Sequence, residues 1–130
     1  MPKKKIVILG STGSIGKTLL NIIEKDISNF EVVLLTANKD YKTLLKQAKK
    51  FNVKNIILTD KKKFTFLKKK KLQNNIKITN SFKDIKKIFR KKVDYVMSSI
   101  VGIQGLEPTY KLIKHTKNIA IANKESIICG

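Results

Sequence analysis

Short, continuous apolar runs alternate along this chain with segments of helical periodicity, and that alternation leaves few folds open. "KIVIL" (5–9), "FEVVLLT" (30–36) and "NIIL" (55–58) have no polar face, the pattern of strands covered on both sides in a parallel sheet. "IKIT" (76–79), "DYVMSSI" (94–100) and "NIAIAN" (118–123) continue the series. Helical spacing intervenes. Ile15, Leu19, Ile22 and Ile23 recur on a helix over 15–25, and Leu44, Leu45, Ala48 and Phe51 form a stripe over 41–51. A lysine-rich helix is expected over 61–72, with Phe64, Leu67 and the Lys71 stem turned inward. Another follows Ser81, its N-cap, carrying Phe82, Ile85, Ile88 and Phe89. Pro108 suits the first turn of one more helix, running to His115. Strand and helix in alternation imply an α/β, Rossmann-type doubly wound domain, a mostly parallel sheet with helices on both faces. The 130 residues suffice for one such domain, and no repeat or glycine/serine linker divides them.

In such sheets ligands bind beyond the carboxyl ends of the strands. The first of these ends reads "GSTGSIGKT" (10–18). Its closing "GKT" invites comparison with a mononucleotide loop, which needs a glycine five residues before the lysine-adjacent one. Ser11 stands there, so that loop is excluded. The glycines present, Gly10, Gly13 and Gly16, are spaced three and three, as in the turn of dinucleotide-binding domains. There the first makes the tight turn, the second admits the pyrophosphate, and the third lets helix approach strand. The anion would rest on the helix N-terminus. A tight strand–helix connection without a ligand is the plain alternative.

The second strand end reports cofactor choice. NAD-selective domains place an acid there for the ribose hydroxyls. This chain has Thr36, Ala37, Asn38 and Lys39 instead, and Lys39 can neutralise a 2′-phosphate, which favours NADP. Asp40 either caps the next helix or turns inward, where it would repel that phosphate.

The net charge of +20 suggests nucleic acid at first sight. All but one of the 29 basic residues, Arg90, are lysines scattered over helices and loops, whereas nucleic-acid readers rely on arginine forks. With isoleucine and asparagine also abundant, a solvated lysine coat from an A+T-rich genome accounts for the charge, and no nucleic-acid partner is expected. No apolar run is long enough for a membrane span, and no secretory leader or transit peptide precedes the first strand, so no membrane partner is expected and cytosol is the expected compartment. The single cysteine, Cys129, has no internal disulfide partner and reads as a small buried apolar residue. His115 near a helix end is expected to serve the helix dipole. Ser98 and Ser99 have no histidine partner, which dismisses a serine hydrolase.

"ILGSTGSIG", "SSIVGIQGLEPT" and above all "IANKES" resemble the N-terminal domain of the 1-deoxy-D-xylulose 5-phosphate reductoisomerase family, over all 130 residues but only about the first third of such an enzyme. The resemblance implies an enzyme of the non-mevalonate isoprenoid route that binds NADPH, uses Mg²⁺ or Mn²⁺, takes a sugar-phosphate substrate, acts in the cytoplasm and forms a homodimer at full length. It implies that residues 1–130 form the NADPH-binding domain. It further implies that Thr12, Gly13, Ser14 and Ile15, beside Gly10, cradle the pyrophosphate and adenosine side. Asn38 and Lys39 would face the 2′-phosphate, Asn123 and Glu125 would contact NADPH, and Lys124 the substrate. From the residues alone, Lys124 and Glu125 are equally a surface pair at a helix start. "ANKD" departs from the family's usual glycine, basic residue and asparagine, which leaves the role of Asp40 open. The family's metal carboxylates and lid follow "KES", so neither a metal site nor a catalytic residue is expected within these residues, and the chain alone is expected to bind NADPH without turning over. Another NADP-dependent enzyme of the semialdehyde-dehydrogenase kind, or a non-enzymatic NADP-binding module, are the competing assignments.

Overall fold

The computed structural model describes residues 3–72, 75–82, 93–99 and 116–121. The described residues form six strands: β1 (Lys4–Leu9), β2 (Phe30–Ala37), β3 (Asn55–Leu58), β4 (Lys77–Thr79), β5 (Val93–Ser98) and β6 (Thr116–Ile121). They form one sheet in the order β4-β3-β2-β1-β5-β6, and every neighbouring pair is parallel. The chain steps outward from β1 to β4, then returns to the other side of β1 with β5. That reversal beside β1 is the topological switch of a Rossmann-type α/β fold.

Three helices are described: α1 (Ser14–Glu24), α2 (Tyr41–Lys50) and α3 (Lys61–Lys68). Each follows a strand of the outward half, and each packs on the same sheet face. Ile6 and Ile8 of β1 join Leu20 and Ile23 of α1, Leu44 and Ala48 of α2 and Leu67 of α3 in one buried cluster. The alternate residues Val7 and Leu9 point to the opposite face, with Leu34, Ile57, Val93, Val96 and Phe82. Of the helix expected after Ser81, only Ser81 and Phe82 are among the described residues, and the one expected from Pro108 to His115 lies outside them.

The continuous apolar strands are explained by this double coverage: Ile6, Val7, Ile8 and Leu9 are all buried. Strand β2 adds an irregularity. Its pairing with β1 slips between Ile6↔Val32 and Val7↔Leu34, so Val33 is the extra residue of a bulge. Val32 and Leu35, three apart, therefore face the same helices, and the strand keeps its core contacts on either side of the slip.

Helix α1 corrects the expected face. Its inward stripe is Gly16, Leu20 and Ile23, while Ile15 is 44% and Ile22 60% exposed. Successive residues turn by about 100° around a helix, so a contact fixed at Gly16 rotates Ile15 and Ile22 onto the outer flank. Gly16 dictates this because nothing larger can occupy the closest approach to the preceding turn. Helix α3 is shorter than expected, and Lys71 lies beyond it, exposed. Strand β3 has the expected bounds, and α2 ends one residue before the expected Phe51. Among the described residues no helix is long and apolar enough to cross a membrane.

Candidate functional site

The site begins where β1 ends. Gly10 has φ 74°, the left-handed region that L side chains resist, and so turns the chain off the strand. Gly13 is the N-cap of α1 in extended backbone (φ −76°, ψ 174°), and it provides no side-chain cap. A Cβ built there would meet only the Gly10 carbonyl oxygen, at 3.7 Å, an ordinary contact. Neither backbone conformation nor packing among the described residues requires glycine at 13. Gly16 is the reverse case: a Cβ would lie 2.5 Å from Ser11 Cα and 2.6 Å from the carbonyl oxygens of Gly10 and Ser11. The three glycines therefore serve a turn, an open approach and a close helix contact, in that order.

What holds the turn in place comes from elsewhere in the chain. The Gly10 N–H donates to Thr36 Oγ1 at 2.9 Å, and the Ser11 N–H to the Thr36 carbonyl at 2.9 Å. Gln47, buried midway along α2, grips Ser11 twice. Its Oε1 accepts from Ser11 Oγ at 2.7 Å, and its Nε2 donates to the Ser11 carbonyl at 2.9 Å. From the other side, Ser99 at the end of β5 donates its backbone N–H to the Leu9 carbonyl at 2.9 Å. Its Oγ lies 2.8 Å from the Leu9 and 2.9 Å from the Gly10 carbonyl oxygen, sharing one proton between them. Strands on both sides of β1 thus fix the path of 9–11, and α1 begins there with no side-chain cap on its first-turn amides. Such a helix end, with its partial positive charge and unbonded N–H groups, suits an anion.

The second strand end sits beside it. Lys39 and Asn38 are exposed, with Asn38 Oδ1 accepting from Thr59 Oγ1 at 3.0 Å and the Asn38 carbonyl from the Asp60 N–H at 2.9 Å. The ambiguity over Asp40 closes here: it is the N-cap of α2, accepting the Thr43 N–H at 3.1 Å. That backbone bond, then one from the Thr43 hydroxyl, holds its carboxyl below the ordinary carboxylate value; slight burial opposes this, and Lys17 and Lys42 add to the lowering. Thr12 is half-buried, and Ser14 and Ile15 are exposed. Asn123, Lys124 and Glu125 lie outside the described residues, as do His115 and Cys129.

A family model for 1-deoxy-D-xylulose 5-phosphate reductoisomerase matches residues 6–130. The chain belongs to the 1-deoxy-D-xylulose 5-phosphate reductoisomerase family. Family members of that name include one from Pelagibacter ubique (strain HTCC1062), 55% identical over 129 residues, which cover 98% of this chain and 33% of the relative. The family protein of Wolbachia pipientis subsp. Culex pipiens (strain wPip) is 40% identical over 128 residues, again 98% of this chain and 33% of the relative. Among solved structures, the Zymomonas mobilis reductoisomerase in complex with NADPH superimposes with a TM-score of 0.85 at 31% identity, over 98% of this chain and 34% of its own. A reductoisomerase in complex with NADPH, fosmidomycin and magnesium gives 0.83 at 30% identity, over 96% of this chain and 31% of its own. The chain spans about a third of the length of the reductoisomerases it matches.

Three contributors to this candidate site escape sequence reasoning in that role: Thr36, Gln47 and Ser99. Only Gln47 leaves a trace, an amide lying between Leu44 and Ala48 on the buried stripe of α2, where an apolar residue would ordinarily stand.

Proposed function

We propose that this chain is the NADPH-binding part of a 1-deoxy-D-xylulose 5-phosphate reductoisomerase, residues 1–130 forming one cofactor domain. The whole enzyme would convert 1-deoxy-D-xylulose 5-phosphate to 2-C-methyl-D-erythritol 4-phosphate. The carrying observation is Gly13, a glycine at an uncapped helix N-terminus where the described residues leave room for a side chain. Glycine there is accounted for by a ligand's close approach, and an anion fits the adjoining helix end.

In this assignment Gly10, Thr12, Gly13, Ser14 and Ile15 hold the pyrophosphate. Lys39, with Asn38, holds the 2′-phosphate as a charge-assisted partner. Asn123 and Glu125 would add cofactor contacts, and Lys124 a contact to the sugar-phosphate. The bound nicotinamide would supply the hydride. The task of Thr36, Gln47 and Ser99 is to keep the turn from shifting when the pyrophosphate presses on it. A divalent metal, Mg²⁺ or Mn²⁺, belongs to the proposed whole enzyme. Among the described residues no three His, Cys, Asp or Glu side chains are grouped to hold one, so no step is assigned to it here. A homodimer acting in the cytoplasm completes the proposal, with the lysines as a solvated coat.

The test is cofactor fluorescence on the purified chain. NADPH is expected to bind more tightly than NADH, and Lys39→Ala to narrow the gap by about tenfold. Equal affinity for both cofactors in the unmodified chain would overturn the assignment.

A further inference from the structure

Past the last paired residues of β2 and β3 the ladder runs on. The Thr59 N–H donates to the Ala37 carbonyl at 3.0 Å, and the Asp60 N–H to the Asn38 carbonyl at 2.9 Å. The backbone of residue 38 is therefore tied to residues 59 and 60. Thr59 reaches the side chain as well. Its Oγ1 donates to Asn38 Oδ1 at 3.0 Å and lies 3.5 Å from the Ala37 carbonyl, so its one proton serves the nearer acceptor best. An amide that turns its oxygen to a hydroxyl carries its two Nδ2 protons on the other branch. That orientation matters to an anion, which accepts hydrogen bonds and donates none.

Residues 58 and 59 are held in turn from β4. Asn80, half-buried just past the end of that strand, donates from Nδ2 to the Leu58 carbonyl at 2.9 Å and to the Thr59 carbonyl at 3.0 Å. The amide has two protons for these two acceptors, so both bonds stand at once. Strand β4 has only three residues and does not pair with β2, yet through Asn80 and Thr59 it acts on the end of β2. We propose that Thr59 and Asn80 are positioning residues for cofactor choice. Thr59 turns the donors of the Asn38 amide toward an incoming 2′-phosphate, and Asn80 holds Thr59 where it can do so. The proposal rests on the cofactor assignment above, and in it neither residue touches the cofactor.

Fluorescence titrations with NADPH and NADH, each paired with a urea titration, test it. Thr59→Val removes the donor and keeps the shape, and the preference for NADPH over NADH is expected to fall about fivefold, through NADPH alone. Thr59→Ser keeps the hydroxyl and is expected to keep the preference. Asn80→Ala should lower it about threefold, and Thr59→Val/Asn80→Ala no further than about fivefold, since one relay is then broken at two points. An unchanged preference in Thr59→Val overturns the proposal and leaves the cofactor assignment standing. An equal loss in Thr59→Ser does the same, because the hydroxyl would then not be the active group. So does a parallel fall in NADPH and NADH affinity with a lower urea midpoint, the mark of a structural role alone. Losses that multiply in the double variant overturn the relay through Asn80. Equal binding of both cofactors by the unmodified chain overturns the cofactor assignment, and this proposal with it.

Discussion

Three strand-to-helix junctions lie at the carboxyl ends of strands among the described residues, and they are built in two ways. After β2 and β3 the helix starts with an aspartate, Asp40 or Asp60, whose carboxylate accepts the N–H three residues on, at 3.1 and 3.0 Å. After β1 the helix starts with Gly13 and has no side-chain cap. The chain therefore has a working solution for a helix start, uses it twice, and departs from it at the junction beside the topological switch. An N-cap of this kind is worth about 1 kcal/mol, so the departure forgoes stability. In return the amides of α1 remain available at the place where such sheets bind ligands. The bare junction is also the most heavily braced. Thr36, Gln47 and Ser99 together give its first residues the rigidity that a cap gives the others.

The contrast can be broken most forcefully at Gly16. Elsewhere in a helix, alanine for glycine gains up to about 1 kcal/mol. Here the new Cβ meets only backbone atoms at 2.5–2.6 Å, which cannot rotate aside, so Gly16→Ala is expected to lose about 3 kcal/mol. A urea titration reads this, and a stabilised variant would show that α1 can move off the turn.

Gly13→Val should act on binding instead of folding. Among the described residues the nearest non-adjacent atom to its Cβ is the Gly10 carbonyl oxygen at 3.7 Å, so the variant is expected to stay within about 1 kcal/mol of the parent. NADPH affinity should fall at least about 100-fold, or some 2.7 kcal/mol. Unchanged affinity would make Gly13 a mere turn residue and remove the difference between the junctions.

Gln47→Leu tests the bracing. It keeps the volume but strands the Ser11 carbonyl in a buried site and leaves the Ser11 hydroxyl only its long bond to the Thr36 carbonyl, at a cost of about 2 kcal/mol. NADPH and NADH should weaken together, because the turn and not the 2′-phosphate subsite is loosened. A loss confined to NADPH would contradict that role.

The smallest effect belongs to the capped junction. Asp40→Ala should cost about 1 kcal/mol at neutral pH. Since the folded carboxyl is held below 3.8, its contribution is fully present above that value and is lost as the pH falls through the lowered folded value. Acid titrations of variant and parent should therefore converge only below pH 3.8. A difference that persisted undiminished into strong acid would mean that the charge plays no part in the cap.

Much of the molecule is encoded in neighbouring residues and was legible on that account. Strands show as unbroken apolar runs, helices as a period of 3.6, and the three glycine roles as a spacing of three. Asp40 before Tyr41 already allowed a cap, because capping is settled within three residues. The tertiary structure decided whatever depends on which distant groups arrive together. Sequence periodicity placed Ile15 and Ile22 with the core residues of α1, but the fit of Gly16 against Ser11 turned the helix to Leu20 and Ile23. The bulge at Val33 arises from pairing with β1, and no local signal marks it. Gln47 reaches Ser11 across 36 residues, and Ser99 reaches Leu9 across 90. A buried carbonyl or hydroxyl must find a partner, but its own sequence neighbourhood does not say which, because that choice is made when strands align and helices close over them.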